Sequence, residues 1–413
     1  MGLFKRKKAE IEKQRADKTH EIVCLYCFRN FTHDRVLFRA FEAIDAEGYR
    51  ADYDHVLDDY RARFHMDTAG ILPPFLDPDS FPEAAKGYHR GVLSTLKDDY
   101  SNITTRRICP FCHNDIQQSA GYAPSTIISV VGGTQAGKSV YLTALVHTLK
   151  TITPRNFPIF CTPISNEMGK KFKLEYEGPL INDGILLDST QKEKQQEPFI
   201  FTFSFADDRK PEISIAFFDM AGEGMVDPAY VDIYAANIRN SSGILFLVDP
   251  TQFSSIGGKI LLKNGLKDEG FYDEPADVLS GLVEDYIYKQ GGGVSQIPTA
   301  VVITKSDLLG ALRHDGEYIS PNSPIFEHFN HQESFNLSAF DDIDIDVDDF
   351  ISAADPNFRN ALKRRFARLG FFAVSALGSK PEGSRVASFA PLRVDEPFLW
   401  LLYQLGYIDG HED

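Results

Sequence analysis

Three shortages narrow the field before any motif is read. Cysteine is scarce, with five in 413 residues, too few for a secreted disulfide scaffold. Long apolar runs are missing, and no stretch approaches the 18 or more residues of a membrane span. Positive charge is short as well: 43 Lys and Arg face 59 Asp and Glu, a formal net charge of −16. A chain that acidic is repelled by the phosphate backbone, which argues against wrapping duplex nucleic acid. The start is basic (Lys5, Arg6, Lys7, Lys8) but no apolar h-region follows it, so no secretory signal is expected. Nor is Gly2 expected to be myristoylated, because Arg6 stands where that motif wants Ser or Thr. What is present is ordinary for a soluble globular protein, 43% apolar and 25% charged residues, and it excludes overall disorder. The expected compartment is the cytoplasm.

At about 150 residues per domain, the length predicts two or three domains. Residues 1–20 carry seven Lys/Arg against three Asp/Glu and read as a flexible basic tail. Leu3 and Phe4 offer a peripheral membrane contact beside the basic cluster, but none is expected. Residues 21–122 hold two Cys-x-x-Cys pairs and, between them, an aromatic-rich insertion over 36–104. There Val36, Phe38, Ala40, Phe41 and Ile44 read as helical spacing, so the insertion is expected to be helical. Residues 123–413 alternate strands and helices. The strands expected are Thr126–Val131, Phe157–Cys161, Phe199–Phe205, Ile213–Phe218, Gly243–Val248, Thr299–Ile303 and Phe371–Val374. Most are continuous β-rich apolar runs, which suit a mostly parallel sheet covered by helices on both faces: the α/β class.

One of these strands runs into Gly132-Gly133-Thr134-Gln135-Ala136-Gly137-Lys138-Ser139 and then an apolar-periodic helix beginning near Val140. This is the P-loop (Walker A) pattern in its proper strand–loop–helix setting. Glycines let successive backbone N–H groups curl around a phosphate, and the helix N-terminus adds its positive end. Lys138 would reach the β- and γ-phosphates, and Ser139 would hold Mg²⁺. Downstream, the strand Ile213–Phe218 leads into Asp219-Met220-Ala221-Gly222. A carboxylate there can orient the Mg²⁺ shell, and Gly222 can bring its N–H close to a γ-phosphate. Thr190, in a polar loop ahead of Phe199–Phe205, is the candidate for completing the Mg²⁺ shell. An ordinary loop threonine is the competing reading.

A further strand ends in Thr304-Lys305-Ser306-Asp307. The Asp307 carboxylate suits a base presenting N1–H and N2–H₂ together, as guanine does and adenine does not. The stem of Lys305 can lie along the base face. Another strand ends in Ser375-Ala376-Leu377, where a backbone N–H can meet guanine O6. Both motifs occur in the required order, each at a strand end, which favours GTP and GDP over adenine nucleotides.

The paired cysteines form two similar units, Cys24-Leu25-Tyr26-Cys27 and Cys109-Pro110-Phe111-Cys112. Four thiolates suit structural Zn²⁺ in a closed tetrahedral site. The 81 residues between the pairs exceed the usual spacing, but the cost of closing a loop grows only logarithmically with its length. His33 and His113 are alternative ligands. Arg29, Arg35, Arg39, Arg106 and Arg107 lie near the knuckles; protein docking or a structural role is expected of this region, rather than nucleic-acid binding. Cys161 reads as a core residue. Residues 315–357 hold eleven Asp/Glu and no Lys/Arg, and account for most of the net charge. A calcium loop starting at Asp342 would need Gly and Glu where Val347 and Ala353 stand, so an EF-hand is rejected. A solvated acidic insertion is expected.

Gly132–Ser139, Asp219–Gly222, Thr304–Asp307 and Ser375–Leu377 together resemble the P-loop, switch II and base-recognition motifs of the translation-factor-related (TRAFAC) class of GTPases. The likeness spans roughly 125–378. The whole layout, with its cysteine pairs and a C-terminal Val394–Leu402 segment, resembles the prokaryotic double-GTPase type carrying an N-terminal zinc ribbon. That resemblance implies a bacterial GTPase working with a protein partner or a second GTPase, as homo- or heterodimer. Gln135 resembles the position of a cation-coordinating asparagine in potassium-activated GTPases. Glu223 follows Gly222 where many small GTPases have a water-orienting glutamine; a base and an inert residue are both open readings. With no arginine finger evident in cis, slow hydrolysis to GDP and phosphate is expected. The alternative is a non-hydrolysing, GTP-bound, zinc-containing scaffold.

Overall fold

The computed structural model describes residues 19–187, 197–207, 210, 212–219 (the last two by backbone alone), 236–267, 270, 273–282, 293–313, 316 and 318–412. The chain divides into two compact units, one of Met1–Thr126 with Lys194–Pro198 and Pro211–Ala216, the other of the remainder. Among the described residues no helix is long and apolar enough to cross a membrane.

The first unit is made of short pieces. Strand Leu37–Arg39 lies between Arg107–Ile108 and Phe75–Leu76, antiparallel to both. A second three-stranded sheet joins Lys86–His89, Val92–Lys97 and Ile103–Thr104. The helical insertion expected over 36–104 is therefore corrected to short strands with one helix, His55–Arg63. Val36, Phe38 and Ala40 are buried, and so is Arg39 between them, whereas Phe41, which a helical spacing would bury, is 67% exposed. The helix starts where it does because the Asp54 side chain accepts the backbone N–H of Leu57.

The largest sheet has seven strands, β1 (Thr126–Gly132), β2 (Ile159–Pro163), β3 (Phe199–Phe205), β4 (Ile213–Asp219), β5 (Gly243–Val248), β6 (Thr299–Ile303) and β7 (Leu369–Ala373), all of the second unit except Thr126 and Ile213–Ala216. Their order is β2-β3-β4-β1-β5-β6-β7. β1, β5, β6 and β7 run parallel, and β2 pairs antiparallel with β3. All seven expected strands are present. β2 begins two residues late because the Phe157 N–H is turned back onto the Thr153 carbonyl. Leu245, Phe246, Val301 and Phe372 are wholly buried, as continuous apolar strands covered on both faces should be. The register aligns the strand ends: Val248 faces Ile303, and Ile303 faces Ala373. The loops after these strands therefore emerge along one edge, where open parallel sheets bind ligands.

The acidic segment 315–357 is corrected too. Its second half forms helix α3 (Leu337–Ala354), following helices α1 (Lys138–Thr151) and α2 (Pro275–Leu282) in chain order. Ile343, Val347, Phe350, Ile351 and Ala354 are buried along one stripe of α3, which packs against β7. Its carboxylates divide between solvent and fixed partners. Asp341 and Asp342 are exposed, Asp348 pairs with Arg359 and Lys363 at 2.6 Å each, and Asp344 accepts the Phe371 N–H at 2.7 Å.

Candidate functional site

The glycine-rich loop 132–139 follows β1 directly. Gly132 is needed for close packing, since a Cβ there would lie 2.7 Å from the Leu247 carbonyl oxygen. Gly137 is left-handed (φ 82°) and hands the chain into α1 at Lys138. Gln135 is also left-handed, at φ 62°, an uncommon state for a non-glycine residue that concentrates at functional sites. Lys138 arches over the loop, its Nζ donating to the carbonyls of Gly132 and Gly133 at 3.0 Å each. Thr134 is held from two sides. Its carbonyl accepts the Gln252 side-chain amide at 2.6 Å, and its N–H and hydroxyl donate to Asp273 at 3.0 and 2.9 Å.

The opposite end of the site is formed by the turns after β5, β6 and β7. Thr304 donates its N–H to the Val248 carbonyl at 2.9 Å. Lys305 is left-handed (φ 51°), and its ammonium meets the buried carboxylate of Asp249 at 2.5 Å. Asp307 accepts a 2.6 Å hydrogen bond from the Ser375 hydroxyl, whose oxygen in turn accepts the Gly378 N–H at 2.9 Å. The carboxylate that sequence reasoning assigned to base reading is thus oriented by the serine assigned to the other base motif.

A cavity of about 410 Å³ opens among these turns. Gln135, Gly137 and Val140 line it from the phosphate loop and the start of α1. Thr304, Lys305 and Asp307 line it from the turn after β6, and Ser375, Ala376 and Leu377 from the turn after β7. Leu186, Leu261 and Leu266 supply an apolar wall. Gly132, Gly133, Thr134, Ala136, Lys138 and Ser139 belong to the same loop and helix start but not to the cavity wall. An apolar cavity lined by the Asp249 and Asp307 carboxylates, with a glycine-rich loop at its side, has the mixture of apolar wall and few polar groups that ligand sites use. Asp219 closes strand β4, with its backbone alone described. Thr190, Gly222 and Glu223 lie outside the described residues.

Asp249 and Gln252 were not singled out from the sequence. Asp249 could have been, since it is a carboxylate immediately after an apolar strand, the signal used for Asp219. Its Oδ1 also accepts the N–H and hydroxyl of Thr251, so the turn 249–252 ties Lys305 on one side to Thr134 on the other. For Asp273 the sequence carries no signal.

The four cysteines meet in the first unit. Cys24, Cys27, Cys109 and Cys112 are all buried, with sulfurs within 4.8 Å of one another. Cys24 and Cys112 are 3.7 Å apart and Cys27 and Cys109 3.8 Å. A regular tetrahedron with Zn–S bonds of about 2.3 Å has edges of about 3.8 Å, so these separations fit the ion. The two knuckles repeat one design. The first cysteine of each donates its N–H five residues on, from Cys24 to the Arg29 carbonyl and from Cys109 to the Asn114 carbonyl. The residue after the second cysteine is left-handed in both, Phe28 at φ 56° and His113 at φ 54°. Polar hydrogens point at sulfur from the Phe111 N–H (3.4 Å) and the Asn114 side-chain amide (3.3 Å). Burial pushes the Cys24 and Cys112 thiols well above the usual thiol range, whereas hydrogen bonds from the neighbouring sulfurs pull Cys27 far below it. Four sulfurs this close cannot all ionise unaided; a bound dication would deprotonate a coordinating thiol outright.

The histidines are engaged elsewhere. His113 Nδ1 lies 2.9 Å from the Asp54 carboxylate, and His33 Nδ1 accepts the Leu93 N–H at 3.3 Å. Three of the neighbouring arginines are held by partners. Arg39 is buried against Asp54, Arg106 pairs with Asp115 at 3.1 Å, and Arg107 is buried among backbone carbonyls. Cys161 is a core residue whose thiol burial pushes up to about 12.

No protein-family model matches the chain. Over 331 residues it is 23% identical to SaeC of Mycolicibacterium smegmatis, named provisionally as an ESX-1 scaffolding and assembly protein; the match covers 73% of this chain and 80% of SaeC. Among solved structures, the Arl6 (BBS3) small GTPase of Trypanosoma brucei with bound GppNp is 12% identical with a TM-score of 0.28, covering 69% of this chain and all of that one. The bacterial selenocysteine-specific elongation factor EF-Sec is 12% identical with a TM-score of 0.26, covering 70% of this chain and 30% of that one. Likenesses that low leave the nucleotide site to rest on its own geometry.

Proposed function

We propose that the protein is a Mg²⁺-dependent guanine-nucleotide switch with weak intrinsic GTPase activity, acting on a protein partner. One observation carries the reading: the cavity that joins the phosphate loop to the turns ending in Asp307 and Ser375. Residues from three distant stretches converge there, each at the end of a parallel strand, in the order a guanine nucleotide requires. Gly132 to Val140 would cradle the phosphates, with Lys138 between β and γ. Thr304, Lys305, Asp307 and Ser375 to Leu377 would hold the base. Ser139, Asp219 and Thr190 are the proposed Mg²⁺ ligands, and Gly222 and Glu223 the proposed γ-phosphate neighbours. Cys24, Cys27, Cys109 and Cys112 are proposed to hold structural Zn²⁺, a role suited to the reducing cytoplasm. The proposed partner is a protein, a second GTPase or another copy of this chain included.

Titration calorimetry with GTP, GDP and ATP in the presence of Mg²⁺ tests the base assignment. GTP and GDP should bind, and ATP should bind at least about a hundredfold more weakly. Asp307→Asn should weaken GTP by about a hundredfold and admit xanthosine nucleotides, because the exchanged hydrogen-bond pattern matches xanthine. Equal binding of ATP and GTP refutes the reading.

The second reading is a scaffold that holds GTP without hydrolysing it. The likeness to SaeC, a protein named for scaffolding and assembly, favours it. Single-turnover phosphate release separates the two. Slow hydrolysis, well below about 0.1 s⁻¹ for the isolated chain and faster with a partner, supports the switch; none under any condition supports the scaffold.

A further inference from the structure

Thr134 is the third residue of the phosphate loop, and its N–H belongs to the set of donors the loop would turn toward phosphate. That N–H and the Thr134 hydroxyl both donate to one oxygen of Asp273, at 3.0 and 2.9 Å. The loop therefore already faces an anion supplied by its own chain. The approach is intimate. A Cβ on Gly133 would come within 3.2 Å of the Asp273 Cβ, 3.3 Å of its carbonyl oxygen and 3.4 Å of Val278 in α2. Asp273 stands two residues before α2, whose first residue, Pro275, is buried, so the carboxylate is presented from an anchored helix start. Neither Thr134 nor Asp273 lines the base cavity, although the loop residues Gln135 and Gly137 do. The carboxylate therefore stands outside that cavity, on the Thr134 side of the loop, and on the nucleotide reading a terminal phosphate reaching Thr134 would meet it.

We propose that Asp273 is a guard for the terminal phosphate. Its carboxylate competes with the γ-phosphate for Thr134 and repels it, so the site discriminates against the triphosphate until α2 is drawn away. This rests on reading the loop as a nucleotide site. A γ-phosphate would have to displace Asp273, and with it the start of α2, which makes α2 the element that reports whether the third phosphate is present. A diphosphate, ending short of Thr134, leaves the contact in place. The guard biases an equilibrium between two positions of α2, and the third phosphate is the differential ligand that such a bias needs.

The test uses the full chain and two substitutions, Asp273→Asn and Asp273→Ala, with far-ultraviolet circular dichroism to confirm folding. Affinities for GTPγS, GDP, inorganic tripolyphosphate and pyrophosphate are measured with Mg²⁺. Both variants should bind GTPγS about tenfold more tightly than the parent, within the usual range of coupling between sites, while GDP changes less than about twofold. The base-free pair should show the same selective gain for tripolyphosphate over pyrophosphate. Equal gains for the long and short phosphates, no gain, or weaker triphosphate binding overturns the guard. If GTPγS and GDP fail to bind but the tripolyphosphate gain appears, the guard stands and the guanine reading falls. If nothing binds to any variant, both are wrong.

Discussion

The two units solve the folding problem by different means. In the second, strands of five to seven residues such as β5, β6 and β7 bury continuous apolar sequence, and Leu245, Phe246, Val301 and Phe372 are wholly inaccessible. In the first, strands of two to six residues bury little each. The first unit relies instead on fixed polar points: the four-cysteine cluster, the Asp54 carboxylate shared by Arg39 and His113, and the Arg107 guanidinium. Arg107 is 1% exposed and donates to the carbonyls of Gln117 (2.7 Å), Gln118 (3.0 Å) and Ala120 (3.0 Å). Apolar burial is distributed and tolerates single losses. A point ligand concentrates stability in a few atoms, so its loss is felt at once.

Metal removal should break this contrast most sharply. A structural zinc site is worth about 10 kcal/mol of folding free energy. Chelation, or Cys27→Ser with Cys109→Ser, should abolish hydrogen-exchange protection in the described residues up to Thr126 while β5, β6 and β7 stay protected. Elemental analysis should find about one zinc per chain in the parent and none in the double variant. Uniform loss of protection in both units would defeat the comparison.

The next effect comes from two adjacent arginines. Arg107→Ala strands several carbonyls and should cost about 3 kcal/mol in the stability of the first unit. Arg106→Ala removes only the exposed pair with Asp115 and should cost less than about 0.5 kcal/mol. Urea melts followed by the exchange of unit-one amides measure both.

A smaller effect than that of Arg107→Ala is expected in the second unit, at helix α3. Burial pushes the Asp344 carboxyl up to about 6. The folded chain then keeps this proton through a range in which the unfolded chain has lost it. Stability should fall as pH rises from about 4 to about 6 and stay at the lower level above. Asp344→Asn keeps an acceptor for the Phe371 N–H, so it should stabilise the chain by about 1 kcal/mol at pH 7 and flatten that decline. Equilibrium melts at pH 4 and pH 7 measure the difference. No pH-dependent gain would show that solvent reaches the carboxyl freely.

Much of the second unit was legible in the chain order of its residues. An apolar run such as Gly243–Val248, six residues with Ile, Phe and Val, suits a strand covered on both faces. The glycine-rich loop 132–139 and the turns at Thr304–Asp307 and Ser375–Leu377 were legible as short contiguous patterns. The amphipathic stripe of α3 was present but obscured, since Asp341 to Asp349 dominate the composition while Ile343, Val347 and Ile351 carry the packing. In the first unit, apolar residues at every second position, Val36, Phe38 and Ala40, are masked by a helical spacing that Phe41 and Ile44 complete only by coincidence.

The sequence by itself determined the sheet strands, the glycine-rich loop and the cysteine pairs, because covalent neighbours set them. Tertiary structure alone decided which partners meet: Asp273 with Thr134, Asp249 with Lys305, Ser375 with Asp307, and Arg107 rather than Arg106 in the interior. Those pairs lie 139, 56, 68 and, for Arg107 with its carbonyls, 10 to 14 residues apart. Propensity and periodicity act over a turn or a strand. A carboxylate far along the chain acquires its role only when the sheet register brings it to a donor, so the whole fold is needed to assign it.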